Sequence, residues 1–190
     1  MLKQRVVFVH GTGAVGAAAW PRQHGLALDF DALFLRRAGY SGGETSGATE
    51  FLADKEIVLE ALGSGGHVVA HDGGAPAAML AAVEHPELVR SLVLCEPACL
   101  SLTVGLPVTD SYIAQHGHDA ERPWEAPLSI VPGVPTLVLT GGWEPMYEEV
   151  AHYLAATGAI HRTAPGAHRP QDSAEGAALV KQFLRRRSNP

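Results

Sequence analysis

Six short apolar runs punctuate the chain: Arg5 to Val9, Asp31 to Leu35, His67 to Ala70, Ser91 to Cys95, Pro135 to Thr140 and Ala159 to Thr163. Most are continuous rather than alternating and rich in valine and leucine, the pattern of strands covered on both faces in a parallel sheet. Helical stretches lie between them. Phe51 to Leu62 carries Phe51, Leu52, Ile57, Val58, Leu59 and Leu62 on an apolar face, and Gly63 stops it. Further helices are predicted from Trp20 to Leu28 with Pro21 in the first turn, over the alanine-rich stretch after Gly74, from Met146 to Ala156 and from Ser173 to Arg186. Strands alternating with helices predict an α/β fold, a three-layer α/β/α sandwich with about six mostly parallel strands. From Ala98 to Pro132 the periodicity fades and four prolines, Pro107, Pro123, Pro127 and Pro132, interrupt it. A short lid is expected over 98–132, mostly loop with a helical turn or two.

Composition narrows the picture. At 190 residues and 46% hydrophobic, the chain can bury a sizeable core as a single domain, 1–190. The net charge is −6 and the basic residues cluster only at Arg185-Arg186-Arg187, which argues against nucleic acid as a partner. Cys95 and Cys99 have no second pair for zinc and read as reduced thiols in or near the core. No apolar run approaches the roughly 18 residues that span a bilayer, and the first strand begins at once, so no membrane is expected and the cytoplasm is the expected location.

Candidate chemistry centres on the turn after the third run. Ala70-His71-Asp72-Gly73-Gly74 joins an apolar strand to a helix in the pattern small, any, nucleophile, any, small. A strained strand-to-helix turn leaves room for almost no side chain beside the exposed central one. With Asp72 in the central slot, the chain resembles the α/β-hydrolase superfamily over nearly its whole length, as a reduced α/β-hydrolase core without the two leading strands. In that family the central residue is most often serine.

The resemblance implies roles for other residues. His10-Gly11-Thr12-Gly13, after the first strand, resembles the loop that shapes the oxyanion hole, with the backbone N–H groups of Thr12 and Gly73 as donors. A plain glycine-rich loop is the other reading. A dinucleotide fingerprint does not fit, because no acidic residue ends the next strand. Arg36 to Gly43 resembles the family loop D-x-x-G-x-G-x-S with its acidic residue replaced. The family order of nucleophile, acid and histidine is met by Asp72, Glu144 and His168, with Glu96, at another strand end, as the competing acid. His71 reads as structural. Gly11, Thr12, Gly73, His10, Tyr112 and Trp143 are the expected oxyanion and substrate contacts.

Aspartate in the nucleophile slot changes the reaction. A carboxylate near its reference pKa of about 3.9 is already ionised at neutral pH and suits attack at saturated carbon. The product is an ester on Asp72, which water activated by His168 hydrolyses while Glu144 or Glu96 fixes the imidazole tautomer. This is the logic of haloalkane dehalogenases and epoxide hydrolases. Dehalogenases typically carry tryptophan where Gly73 stands. Epoxide hydrolases use two cap tyrosines, and the lid offers Tyr112, with Tyr40 and Tyr147 near strand ends elsewhere. The expected function is therefore hydrolysis of an epoxide or similar small electrophile. Two alternatives stay open: a non-covalent hydrolase, lyase or isomerase with Asp72 as general base, and a catalytically inactive, hydrolase-like ligand-binding protein. No cofactor or metal is expected: His116-Gly117-His118-Asp119 lacks a third ligand at diagnostic spacing, and His152 and His161 read as structural. The expected partner is a small-molecule substrate, and the chain a monomer or homodimer.

Overall fold

The computed structural model describes residues 3–40, 50–118 and 122–188. Six strands, β1 (Arg5–Val9), β2 (Asp31–Phe34), β3 (Gly66–His71), β4 (Val89–Cys95), β5 (Thr136–Thr140) and β6 (Ile160–Thr163), form one sheet in the order β2-β1-β3-β4-β5-β6. Every pairing is parallel. Five α-helices accompany it: α1 (Phe51–Leu62), α2 (Ala75–Glu84), α3 (Pro107–His116), α4 (Pro145–Ala156) and α5 (Ala174–Ser188).

The continuous apolar runs are explained by the two layers they feed. Val7, Val9, Val68, Ala70, Leu92, Leu94 and Val138 point to a core shared with α1, α2 and α4. Their sequence neighbours Val6, Phe8, Val69, Val93, Leu137 and Leu139 point the other way, to Trp20, Leu26, Phe30 and the Val180, Phe183 and Leu184 face of α5. Successive side chains alternate faces, so a strand buried on both is apolar at most positions, and buried polar ones such as His67 and Ser91 pair with each other at 2.8 Å. The edge strand β6, Ile-His-Arg-Thr, is mostly exposed and accordingly polar.

Strand order fixes where a ligand can sit. The chain leaves β1 for β2 on one side, then returns to place β3 on the other, so the loops after β1 and β3 diverge. Open α/β sheets bind ligands at such a switch point, outside the carboxyl ends of the strands. Here those two loops are His10 onward and the turn at Asp72.

Two expectations are corrected. Trp20 to Leu28 is not one helix but two 3-10 segments, Gly16–Ala19 and His24–Leu28. Trp20 lies between them, fully buried against Phe8 with ring centroids 5.2 Å apart, and that anchoring together with Pro21 and Gly25 prevents a continuous helix. The lid region also holds more than a turn or two, since α3 is ten residues long. Pro107 sits at its start, and Glu149 of α4 accepts the amides of Val108 and Thr109 at 3.2 and 2.7 Å. A cap supplied from about forty residues away leaves no local signature in the sequence. Part of the Arg36 to Gly43 loop, residues 41–43, lies outside the described residues.

Glu149 also accepts the Thr109 hydroxyl at 2.7 Å, so Glu149→Ala removes three hydrogen bonds from the start of α3. The expected result is a loss of about 1–2 kcal/mol in urea unfolding, with faster hydrogen exchange confined to the amides of α3; unchanged exchange there would show that the cap is dispensable.

Candidate active site

The sharp turn after β3 is where the chemistry gathers. Asp72 follows β3 with φ 49°, in the left-handed region, and the chain passes through a 3-10 turn, Asp72–Gly74, into α2. Aspartate tolerates that region better than most residues. The flanking small residues are required by close approach: a Cβ on Gly74 would stand 2.5 Å from the His10 carbonyl oxygen. One on Gly11 would stand 2.6 Å from the Asp72 Cβ and 2.8 Å from His71 Nδ1. Three non-glycine residues among those described have positive φ: Asp72, Glu96 and Ala167. They end β3, end β4 and precede His168, so the backbone strain, of order 1–3 kcal/mol each, is concentrated at one edge of the sheet.

The two oxygens of Asp72 are distinguished by their partners. Oδ2 accepts the backbone N–H of Thr12 at 3.2 Å and its hydroxyl at 2.9 Å. Oδ1 accepts the hydroxyl of Tyr147, in the first turn of α4, at 2.8 Å. Nε2 of His168 stands 3.8 Å from Oδ2, too far for a direct hydrogen bond and near enough for one intervening atom to touch both. The ring of His168 lies 4.7 Å from that of His71 and 5.5 Å from that of Tyr147.

Electrostatics separates these groups. Burial by itself would raise the pKa of Asp72, which is 8% exposed; the adjacent His71 and His168 and the Tyr147 and Thr12 hydroxyls outweigh it and hold the carboxyl below its ordinary value. Burial drives His71 down to about 4, so it is neutral at neutral pH, and its Nε2–H donates to the His168 carbonyl at 2.8 Å. Tyr147 is raised far above the ordinary phenol, first by burial and then by the Asp72 charge it faces. Burial pushes Glu96 up to about 7, although the Gly141 amide at 2.5 Å and the Trp143 indole N–H at 2.9 Å pull the other way.

A cavity of about 300 Å³ opens on this group, lined on one side by Thr12, Asp72, Gly73 and His168 and on the other by Phe51, Ala98, Tyr112, Pro123, Met146 and Tyr147. Apolar side chains from Phe51, Ala98, Pro123 and Met146 form part of its walls, and the polar groups of Thr12, Tyr147 and His168 gather around Asp72. Another cavity of about 330 Å³ lies at the opposite end of β4 and β5, where Arg187 is its one charged lining residue and no nucleophile or imidazole is present.

No family model and no curated protein matches the sequence. Solved structures do match. A thermophilic esterase from Thermogutta terrifontis, solved with malate bound, is 14% identical with a TM-score of 0.68, covering 98% of this chain and 91% of the other. The enol-lactonase from Burkholderia xenovorans LB400 is likewise 14% identical at a TM-score of 0.68, over 100% and 93%. An alpha/beta hydrolase fold protein from Nakamurella multipartita is 18% identical at 0.62, over 97% and 93%. The chain has the α/β-hydrolase fold.

Within that fold the residues picked out from the sequence divide clearly. Asp72, Thr12, Gly73, Tyr112 and His168 all meet the cavity, and Gly11 stands against Asp72. The others do not reach it. His10 is fully buried beneath the loop, with Nδ1 donating to the Gly11 carbonyl at 2.7 Å and Nε2 accepting the Arg37 amide at 3.1 Å; it ties the loops after β1 and β2 together. Trp143 is 48% exposed and holds Glu96 rather than lining the cavity, although its ring stands edge-on to His168 at 5.9 Å.

Neither proposed acid engages the histidine. Glu144 sits half-buried at the N-terminal boundary of α4, and Glu96 is spent on Gly141 and Trp143. Nδ1 of His168 is buried and has no hydrogen-bond partner among the described residues. Residues unnoticed in the sequence complete the walls: Phe51 and Met146 read as ordinary apolar positions in helices, and Ala98 and Pro123 as loop. Tyr147 could be placed near a strand end by its position after Glu144, but its bond to Asp72 has no local signal. Cys95 and Cys99 are buried free thiols, held protonated by burial.

The raised pKa of Glu96 makes folding pH-dependent with a definite sign. Between its ordinary value of 4.5 and about 7 the folded state binds a proton that the unfolded state does not, so stability falls as pH rises through that window and levels off above it. The contribution is at most about 3 kcal/mol. Urea titrations from pH 4.5 to 7.5 should show a steeper decline for the wild type than for Glu96→Gln; parallel curves would mean that Glu96 is ionised throughout.

Proposed function

We propose that the protein is a hydrolase that forms a covalent ester on Asp72 with a small electrophile, an epoxide being the substrate class that fits best. The observation that carries this reading is the division of labour at the carboxylate: Oδ2 on the Thr12 donors, Oδ1 on the Tyr147 hydroxyl. Thr12 supplies donors in the position where an oxyanion would form, and Tyr147 supplies a proton beside the oxygen free to attack. Esterase and lactonase neighbours support hydrolysis as the reaction class.

Oδ1 attacks an epoxide carbon, the carbon–oxygen bond of the ring breaks, and the departing alkoxide takes the Tyr147 proton. Forming the ester removes the negative charge that helps keep Tyr147 protonated, so the phenol becomes more acidic as its proton is needed. His168 then takes a proton from water, the hydroxide adds to Cγ of Asp72, and the charge on Oδ2 rests on Thr12. Collapse breaks the Cγ–Oδ1 bond, His168 protonates the leaving oxygen, and the proton of the new carboxylic acid returns to Tyr147. Epoxide and water give a diol. Among the described residues no carboxylate meets Nδ1 of His168, so hydrolysis of the ester is the slower half.

Turnover of an epoxide in labelled water should place label in the Asp72 carboxylate, read by peptide mass analysis, because Oδ1 leaves with the product. Turnover without incorporation would favour Asp72 as a base, and no turnover across an epoxide and ester panel with ligand-dependent thermal stabilisation would favour a binding protein. Tyr147→Phe is expected to slow ester formation by about 10²-fold or more while leaving its hydrolysis nearly unchanged. As pH is lowered, the rate of ester formation should fall only at a pH below the ordinary aspartate value, since the Asp72 carboxyl is held below it.

A further inference from the structure

We propose that Glu148, His152 and His161 form a binding site for a zinc-class divalent metal ion, outside the cavity and behind the loop that holds Glu96. Glu148 and His152 are four residues apart on α4 and therefore share one face of the helix. His161 comes from the adjoining edge strand β6. One ligand atom from each of the three lies within 4.8 Å of the other two. Bound zinc holds nitrogen and oxygen at about 2.0–2.2 Å, which sets ligand atoms about 3.4 Å apart. Small rotations of Glu148 and the exposed His152 close that gap.

The donor set fits such an ion. Two imidazoles and a carboxylate are characteristic zinc ligands that leave a position for solvent. The His152 and His161 rings stand 5.6 Å apart at 83°, so they do not stack and their edges can converge. The buried Thr140 hydroxyl stands 2.7 Å from Nε2 of His161, a hydrogen bond that an ion bound at that nitrogen would replace. Glu148 Oε2 is 3.6 Å from His161 Nε2, longer than a hydrogen bond, while Oε1 accepts the Gly142 amide at 3.1 Å. Gly142 follows Gly141, whose amide binds Glu96. An ion here would fasten α4, β6 and the loop after β5 together, steadying the Glu96 side of the active site without touching substrate.

The test uses the full chain, stripped with chelator and titrated with Zn²⁺ or Co²⁺ alone. One equivalent should bind saturably at micromolar concentration, raise the melting temperature and, for Co²⁺, give the visible absorption of a low-symmetry nitrogen–oxygen site. His152→Ala, at an exposed position that does not endanger folding, and Glu148→Gln should each weaken binding at least tenfold, while His116→Ala binds as wild type does. Absence of saturable binding, or equal affinity in His152→Ala and Glu148→Gln, would overturn the site.

Discussion

A carboxylate withdrawn from water must be given donors or lose its charge, and the upper edge of this sheet is built around that requirement at Asp72. Its donors come from far away in the chain: Thr12 lies 60 residues before it and Tyr147 lies 75 after it. They meet because β1 and β3 are neighbours and because α4 starts at the same edge two strands further on. Gly11 lets the first loop approach closely enough, since any side chain there would collide with the aspartate. The charge is thus held by topology together with the absence of one methyl group.

Strain and charge are found in the same place. Asp72, Glu96 and Ala167 adopt left-handed backbone conformations that cost free energy; Asp72 and the residue after Ala167, His168, meet the cavity, and Glu96 holds the loop beside it. The cores on the two faces of the sheet supply the stability that tolerates them. His71, neutral and buried, links two of these points by donating to the backbone of His168. The imidazole is therefore positioned through its own main chain rather than by a carboxylate on its ring.

The segment around α3 follows the same economy. α3 brings Tyr112 to the cavity, and its N-terminus is capped by Glu149 of α4, the helix that also carries Tyr147. Through these hydrogen bonds α4 touches the Asp72 carboxylate, the start of α3 and the loop after β5 at once.

Much of this was legible in the sequence, and for stated reasons. Continuous apolar runs such as Val6 to Val9, rich in β-branched residues and bounded by turns, read as strands buried on both faces, so about six mostly parallel strands and most of the helices between them followed from pattern. The small residues around Asp72 announced a tight turn, because their size is a local response to crowding. Glycine and proline, however, speak only for their own neighbourhood. The break at Trp20, the three-turn helix α3 capped by Glu149, the removal of His10 from the cavity and the bond from Tyr147 to Asp72 all depend on residues far apart in the chain. So does the choice between Glu96 and Glu144, since which carboxylate meets which donor is set by where β4, β5 and α4 come to rest. Local pattern determined the strands, the sharp turn and the residue at its crest; packing alone decided what that residue touches, because hydrogen bonds form through space and the chain encodes distance only after it has folded.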